Sequence, residues 1–257
     1  FHMYELNPVH AARTGDRYKI IWKAPRSVKP NKLQASSLKP ASICRRYKKQ
    51  KITILQLMKT NEALNLVGGL SKPSKMPGWA YGIPAKECKT GAKLQQVKGS
   101  TCYNCYALKG CYMFPVVQAA QYKRLNSINH PAWIKAMAML INSKKTKFFR
   151  WHDSGDVQSV KHLAKIFEVC RRSPDVQHWM PTREAWVKPY LSRAPKNLVI
   201  RFSMPMVDQE AATSWPHTST VVSGPGRTCP APEQDNACGS CRACWDPSVR
   251  NVAYGKH

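Results

Sequence analysis

From residue 147 onward the chain repeats one pattern, and that repetition limits its fold more than any other feature. Short apolar runs alternate with helical or polar stretches: KFFRWHDSGD, a predicted helix over 159–172, DVQHWMPTRE, a short helix, LVIRFSMPM and TSTVVSGPG. Each run ends in polar or glycine-rich residues, as buried parallel strands do when they feed loops. The expected class is α/β, a partial or compact TIM-barrel-like β/α fold carrying Cys-rich metal-binding segments. Helices are predicted upstream over 115–125 and 131–141. Between 66 and 111 the chain is rich in Gly, Pro and Cys, and GWAYGIPAKEC reads as loop and metal site. The expected organisation is a basic N-terminal arm or subdomain at 3–65 and a β/α catalytic domain at 66–257. That domain carries a Cys-rich insert at 88–111 and a C-terminal four-cysteine site at 229–244.

Charge narrows the partners. Of 257 residues, 41 are Lys or Arg and 14 Asp or Glu, a formal net charge of +27. Such an imbalance favours a polyanionic partner, here DNA. The run Arg45, Arg46, Lys48, Lys49 and Lys51 is the expected DNA contact. Apolar residues make up 43% of the chain with eight tryptophans, enough for a sizeable core and against a simple basic tail. No stretch approaches the roughly 20 apolar residues of a membrane span, and no secretory signal opens the chain. A cytoplasmic location without membrane contact is expected.

Ten cysteines fall at ligand-like spacings rather than as a secreted disulfide framework. Cys229, Cys238, Cys241 and Cys244 form C-x8-C-x2-C-x2-C, four sulfurs suited to a closed structural zinc site. Cys88, Cys102, Cys105 and Cys111 form C-x13-C-x2-C-x5-C. Spacing alone does not separate zinc from an iron–sulfur cluster at Cys88, Cys102 and Cys105, and Cys111 is the weakest ligand of that group.

The segment from Trp151 to Ser159, WHDSGDVQS, sets Asp153 and Asp156 beside Gly155 where a strand ends. That edge is where β/α folds keep their chemistry, and paired carboxylates there suit metal binding, acid–base work or nucleophilic attack. HDSGDVQS resembles the DSGGFQ segment of the tRNA-guanine transglycosylases, and WMPTR at 179–183 resembles their VMPTR segment. The segments GWAYGIPAKEC, CYNCYALKG and CGSCRACWD look like those of small phage proteins. Together they resemble the DNA-acting branch, the phage DpdA-type DNA-guanine transglycosylases.

The resemblance implies exchange of guanine in DNA for a 7-deazaguanine base, 7-cyano-7-deazaguanine or a derivative, through a covalent carboxylate intermediate. Under it Asp153 does acid–base or base-binding work, and His152, Ser154, Gly155, Trp179, Thr182 and Arg183 contact substrate. The target base is expected to flip into a pocket where Trp151 and Trp179 stack on it. The family's nucleophilic Asp lies three residues before the Met of MPTR, where this chain has Gln177, so Asp156 or Asp208 is the expected nucleophile. Three other readings fit the residues: a nuclease with a divalent metal on Asp153, Asp156 and His152; a zinc-stapled, non-enzymatic DNA-binding protein; and an iron–sulfur radical enzyme.

Overall fold

A computed structural model describes residues 58–256. The basic run at 45–51 and most of the 3–65 arm lie outside the described residues. The described residues fall within a single compact unit.

Six parallel strands form one sheet in chain order: β1 (Trp79–Tyr81), β2 (Phe148–Trp151), β3 (Gln177–Thr182), β4 (Leu198–Val207), β5 (Thr218–Val222) and β6 (Asn251–Gly255). The α/β class and the parallel sheet are as expected. Among the described residues no barrel closure is seen: β1 pairs with β2 and β6 with β5, and these two edge strands are not paired with one another.

The helices are α1 (Thr60–Val67), α2 (Lys89–Leu94), α3 (Pro115–Ser127), α4 (Trp133–Ser143) and α5 (Val160–Arg171). The two predicted upstream helices correspond to α3 and α4. Pro115 opens α3 at its first turn, where its missing N–H leaves no hydrogen bond unmade. Ser159 caps α5 by accepting from His162 N at 3.1 Å. The predicted short helix after β3 is a 3-10 segment, Ala185–Arg193, interrupted by Pro189.

The parallel register sorts the side chains by face. Tyr81, Phe149, Trp151, Met180 and Ile200 belong to the buried core, packed with Trp133, Met137 and Leu140 of α4 and with Leu163 and Ile166 of α5. Tyr81 ties four elements together. Its hydroxyl lies 2.9 Å from the carbonyl of Val67 and 3.0 Å from that of Arg124, and accepts from Trp133 Nε1 at 3.2 Å. Trp151 is therefore core, against Tyr81 and Trp133, and is not a stacking platform for a base.

Arg150, Trp179, Pro181, Arg201 and Ser203 take the alternate positions, on the opposite face. There the C-terminal cysteine segment crosses the sheet. Trp245 is buried, donates to the carbonyl of Phe149 at 3.0 Å and meets Phe148 and Trp179 edge-on. Arg201, with 0% exposure, donates to the carbonyls of Ala243, Cys244, Asp246 and Val249 at 2.7–3.0 Å.

Candidate functional site at the strand ends

A cavity of about 700 Å³ opens at the C-terminal ends of the strands. Its wall includes Cys88, Cys102 and Cys105 from the connection after β1, His152, Ser154, Gly155 and Asp156 after β2, Thr182 at the end of β3 and Arg183 after it. Ser203 and Met204 of β4 and Ser219 and Val221 of β5 complete it. A second cavity of about 450 Å³ is lined by Cys229, Cys238, Cys244 and Asp153. Arg150, Tyr106, Trp179 and Tyr254 line both. Trp179 carries Arg150 over its ring at 4.6 Å, a cation–π contact that forms part of both walls.

The loop after β2 extends the ladder to β1. His152 N donates to Tyr81 O at 2.9 Å, Ile83 N to Ser154 O at 3.0 Å, and Ser154 Oγ to Ile83 O at 2.9 Å. Gly155 is required here on two counts. Its φ is +77°, and a Cβ would stand 2.7 Å from the Ile83 carbonyl oxygen.

His152 is 2% exposed with φ +55°, a conformation rare outside glycine and associated with functional strain. Neither ring nitrogen has a hydrogen-bond partner. Burial first, then the neighbouring His162 and Arg150, hold its pKa well below the usual histidine value, so the ring is neutral and offers one donor and one acceptor. Arg150 Nε, Trp179 Nε1 and Asp153 Oδ1 are likewise buried without partners. Orphaned polar atoms converging on cavity walls mark a ligand site.

The carboxylates divide. Asp153 is buried and its pKa is raised by that burial against the opposing pull of Arg150 and Arg124. Asp156, also buried, is pushed up to about 6 by desolvation. Both of its oxygens are taken: Oδ1 accepts from Val157 N at 2.7 Å and Oδ2 from Arg183 N at 2.8 Å. It works as a clamp between the ends of β2 and β3. Asp208 is exposed, caps Ser223 through its backbone N–H and hydroxyl, and lines neither cavity.

Arg183 donates to the carbonyls of Ser203 and Met204 at 3.1 and 2.8 Å, and its guanidinium also reaches Cys102. Glu184 is a buried residue that sequence reasoning passed over. It accepts from Thr90 N and Oγ1 at 3.0 Å and from Trp186 Nε1 at 2.9 Å, fastening α2 beside the cysteines. A charged residue directly after MPTR is the only signal that pointed to it.

Two sulfurs of the first cysteine group, those of Cys88 and Cys102, lie against Gly91. A Cβ at Gly91 would lie 2.9 Å from Cys88 Cβ, 3.6 Å from Cys88 Sγ and 3.7 Å from Cys102 Sγ. Burial raises the Cys88 thiol, and Asp156, Cys105 and Cys102 raise it further through their charge. Burial also raises Cys102, opposed by Arg183. Cys111, the fourth sulfur of the spacing, is exposed and lines neither cavity. In the second group Cys238 faces Cys229 and Cys241 electrostatically, and Cys244 Sγ lies 3.1 Å from Tyr254 Oη. Among the described residues no three His, Cys, Asp or Glu side chains converge tightly enough to hold a single ion. That applies equally to His152 with Asp153 and Asp156. No helix among the described residues is long and apolar enough to cross a membrane.

Fold and site together define a parallel β/α protein with a thiol-lined cavity at its strand ends. The chain belongs to the gene product 88 family, whose model matches residues 45–247. No curated protein and no solved structure matches it.

Proposed function

We propose that this protein is an iron–sulfur enzyme in which Cys88, Cys102 and Cys105 hold a cluster on the wall of the 700 Å³ cavity. The observation that carries this is the joint location of those three cysteines: on one cavity wall, at the C-terminal edge of a parallel sheet, where β/α enzymes keep their reacting groups. The donor set fits. Three thiols repel one another as anions and so favour a cationic centre, Arg183 favours the thiolate form of Cys102, and Gly91 keeps the space against two of the sulfurs free of a side chain. A polynuclear cluster also spaces its sulfurs more widely than a single zinc ion does. Held by these three cysteines, a cluster would supply one-electron reduction and would leave one iron without a protein ligand, a position that S-adenosylmethionine can probe.

The remaining wall binds and orients. Neutral His152 offers a donor and an acceptor to an uncharged polar group. Asp156 fixes the backbone of Arg183, which in turn is anchored on the carbonyls of Ser203 and Met204, so that charge stays against the thiols. Anaerobic reconstitution with iron and sulfide, followed by metal analysis and visible absorption, tests the proposal. Brown protein with stoichiometric iron and sulfide supports it, and colourless protein holding only zinc contradicts it.

For Cys229, Cys238, Cys241 and Cys244 the proposal is zinc, whose binding would have to draw together thiols that do not stand at single-ion spacing in this structure. Such binding contributes on the order of 10 kcal/mol to local folding. The half-buried Cys244 thiol is pushed up to about 11 by desolvation, so at neutral pH it carries a proton that metal must displace. Zinc affinity at this site is expected to rise with pH between 6 and 8, by up to about tenfold per unit for each proton released. Competition with a chromophoric chelator measures this, and an affinity independent of pH contradicts it.

A second reading, DNA-guanine transglycosylation, is favoured by Asp153 alone, a buried carboxylate with a free oxygen at the strand-end edge. Its two candidate nucleophiles are less suited: Asp156 has both oxygens engaged and Asp208 is on the surface. Incubation with guanine-labelled DNA and 7-cyano-7-deazaguanine distinguishes the two readings, because label release without iron requires the second.

A further inference from the structure

Among the described residues, large apolar side chains exposed to solvent are concentrated in one segment of the chain. Among the described residues all but Val160 fall between positions 97 and 122, including Tyr103, Tyr106, Phe114 and Val116. The exposures are large, 49% for Tyr103, 52% for Tyr106 and 55% for Phe114. A single exposed apolar residue needs no explanation, but a concentrated set does.

Three further observations give the patch a direction. Tyr103 and Tyr106 line the mouth of the large cavity and flank Cys105 in sequence. Tyr106 is held in place: its hydroxyl donates to Asp153 O at 2.7 Å and accepts from Arg150 at 3.2 Å, and its ring meets Tyr112 edge-on at 5.8 Å. Around these rings the segment 86–123 carries Lys86, Lys89, Lys93, Lys98, Lys109 and Lys123 against one acidic residue, Glu87. All six lysines are exposed and none forms a salt bridge among the described residues.

From this we infer that the 97–122 surface is a binding platform for single-stranded nucleic acid, which delivers a nucleotide to the cavity. The delivery step rests on the function proposed above, whereas the binding itself does not. Exposed rings in a segment whose lysines have no carboxylate partner among the described residues match what an unstacked strand presents: flat base faces for the aromatics and phosphates for the ammonium groups. Duplex DNA hides its base faces, so this chemistry selects the single strand. Over residues 58–256 the excess of 28 Lys and Arg against 12 Asp and Glu keeps the surrounding field attractive to a polyanion.

Fluorescence anisotropy of the full-length protein with labelled single-stranded DNA, single-stranded RNA and duplex DNA tests the inference, with and without reconstituted iron. The expected order is single strand over duplex, with the DNA and RNA arms reporting which sugar is preferred. Tyr103→Ala and Phe114→Ala should each weaken single-strand binding by about 5- to 100-fold, as loss of one stacked base does. Lys98→Gln with Lys109→Gln should reduce the slope of log affinity against log salt by about 0.7 per lysine. Lys161→Gln on α5 should change nothing beyond its own share of charge. Equal affinity for duplex and single strand, or aromatic variants with unchanged affinity and native circular dichroism, would overturn the inference. Strand binding that persists without iron separates failure of the cluster from failure of this surface.

Discussion

Cys102→Ser and Cys105→Ser are each expected to yield folded protein that takes up no iron during anaerobic reconstitution. Release of 5′-deoxyadenosine from S-adenosylmethionine should fall by more than about 100-fold, beyond the loss typical when only an outer-shell partner of a metal site is removed. The two sulfurs lie on the cavity wall and influence each other's charge, and a hydroxyl in place of either removes a soft ligand that iron–sulfur clusters require. Cys111→Ser is the matched control. Its side chain is exposed and lines neither cavity, so iron content and activity should match the parent protein. If Cys111→Ser also lost iron, the site would use four thiols and have no open iron for a co-substrate.

Arg201→Met should be the most destabilising single change on the sheet. Arg201 has no exposure and its guanidinium satisfies four carbonyls of the C-terminal cysteine segment and its return to β6 at 2.7–3.0 Å. Methionine fills similar volume but donates nothing, leaving those acceptors buried and unpaired. The expected cost is about 3–5 kcal/mol. For a protein of this size that corresponds to a fall in Tm of roughly 10 °C. Zinc should leave at the same time, because the carbonyls that Arg201 holds belong to Ala243, Cys244 and Asp246. Thermal unfolding followed by circular dichroism, with zinc release followed by a dye, measures both. A variant with unchanged Tm and full zinc would show that the cysteine segment is held by Trp245 and its own metal alone.

Most of the sheet was legible because β2 to β5 are apolar runs ending in polar loops, and burial on one or both faces dictates that pattern. The exceptions were physical. β1 is three residues, Trp79 to Tyr81, between Gly78 and Gly82, and the glycines read as loop. β6 is short and follows a cysteine-rich segment whose turns mask it. Arg201 sits inside LVIRFS, an interruption of an apolar run that only a partner segment more than forty residues later explains.

Site residues were legible as a set but not in their roles. His152, Ser154, Gly155, Asp156, Trp179, Thr182 and Arg183 all line the large cavity. That Asp156 is a clamp depended on the backbone N–H of Arg183, and backbone donors leave no trace in residue type. Spacing did mark Cys111 as the weakest ligand of its group, and it is the one that is exposed and lines neither cavity.

Electron paramagnetic resonance of anaerobically reconstituted, dithionite-reduced protein, before and after S-adenosylmethionine, tests the proposed function most directly. The predicted result is a reduced-cluster signal that changes when the sulfonium is added. Dithionite would supply one electron and a C–H bond of a substrate or of the buffer one hydrogen atom for each S-adenosylmethionine cleaved to methionine and 5′-deoxyadenosine. Protein that binds no iron, or a cluster whose signal is indifferent to S-adenosylmethionine and releases no 5′-deoxyadenosine, would contradict it.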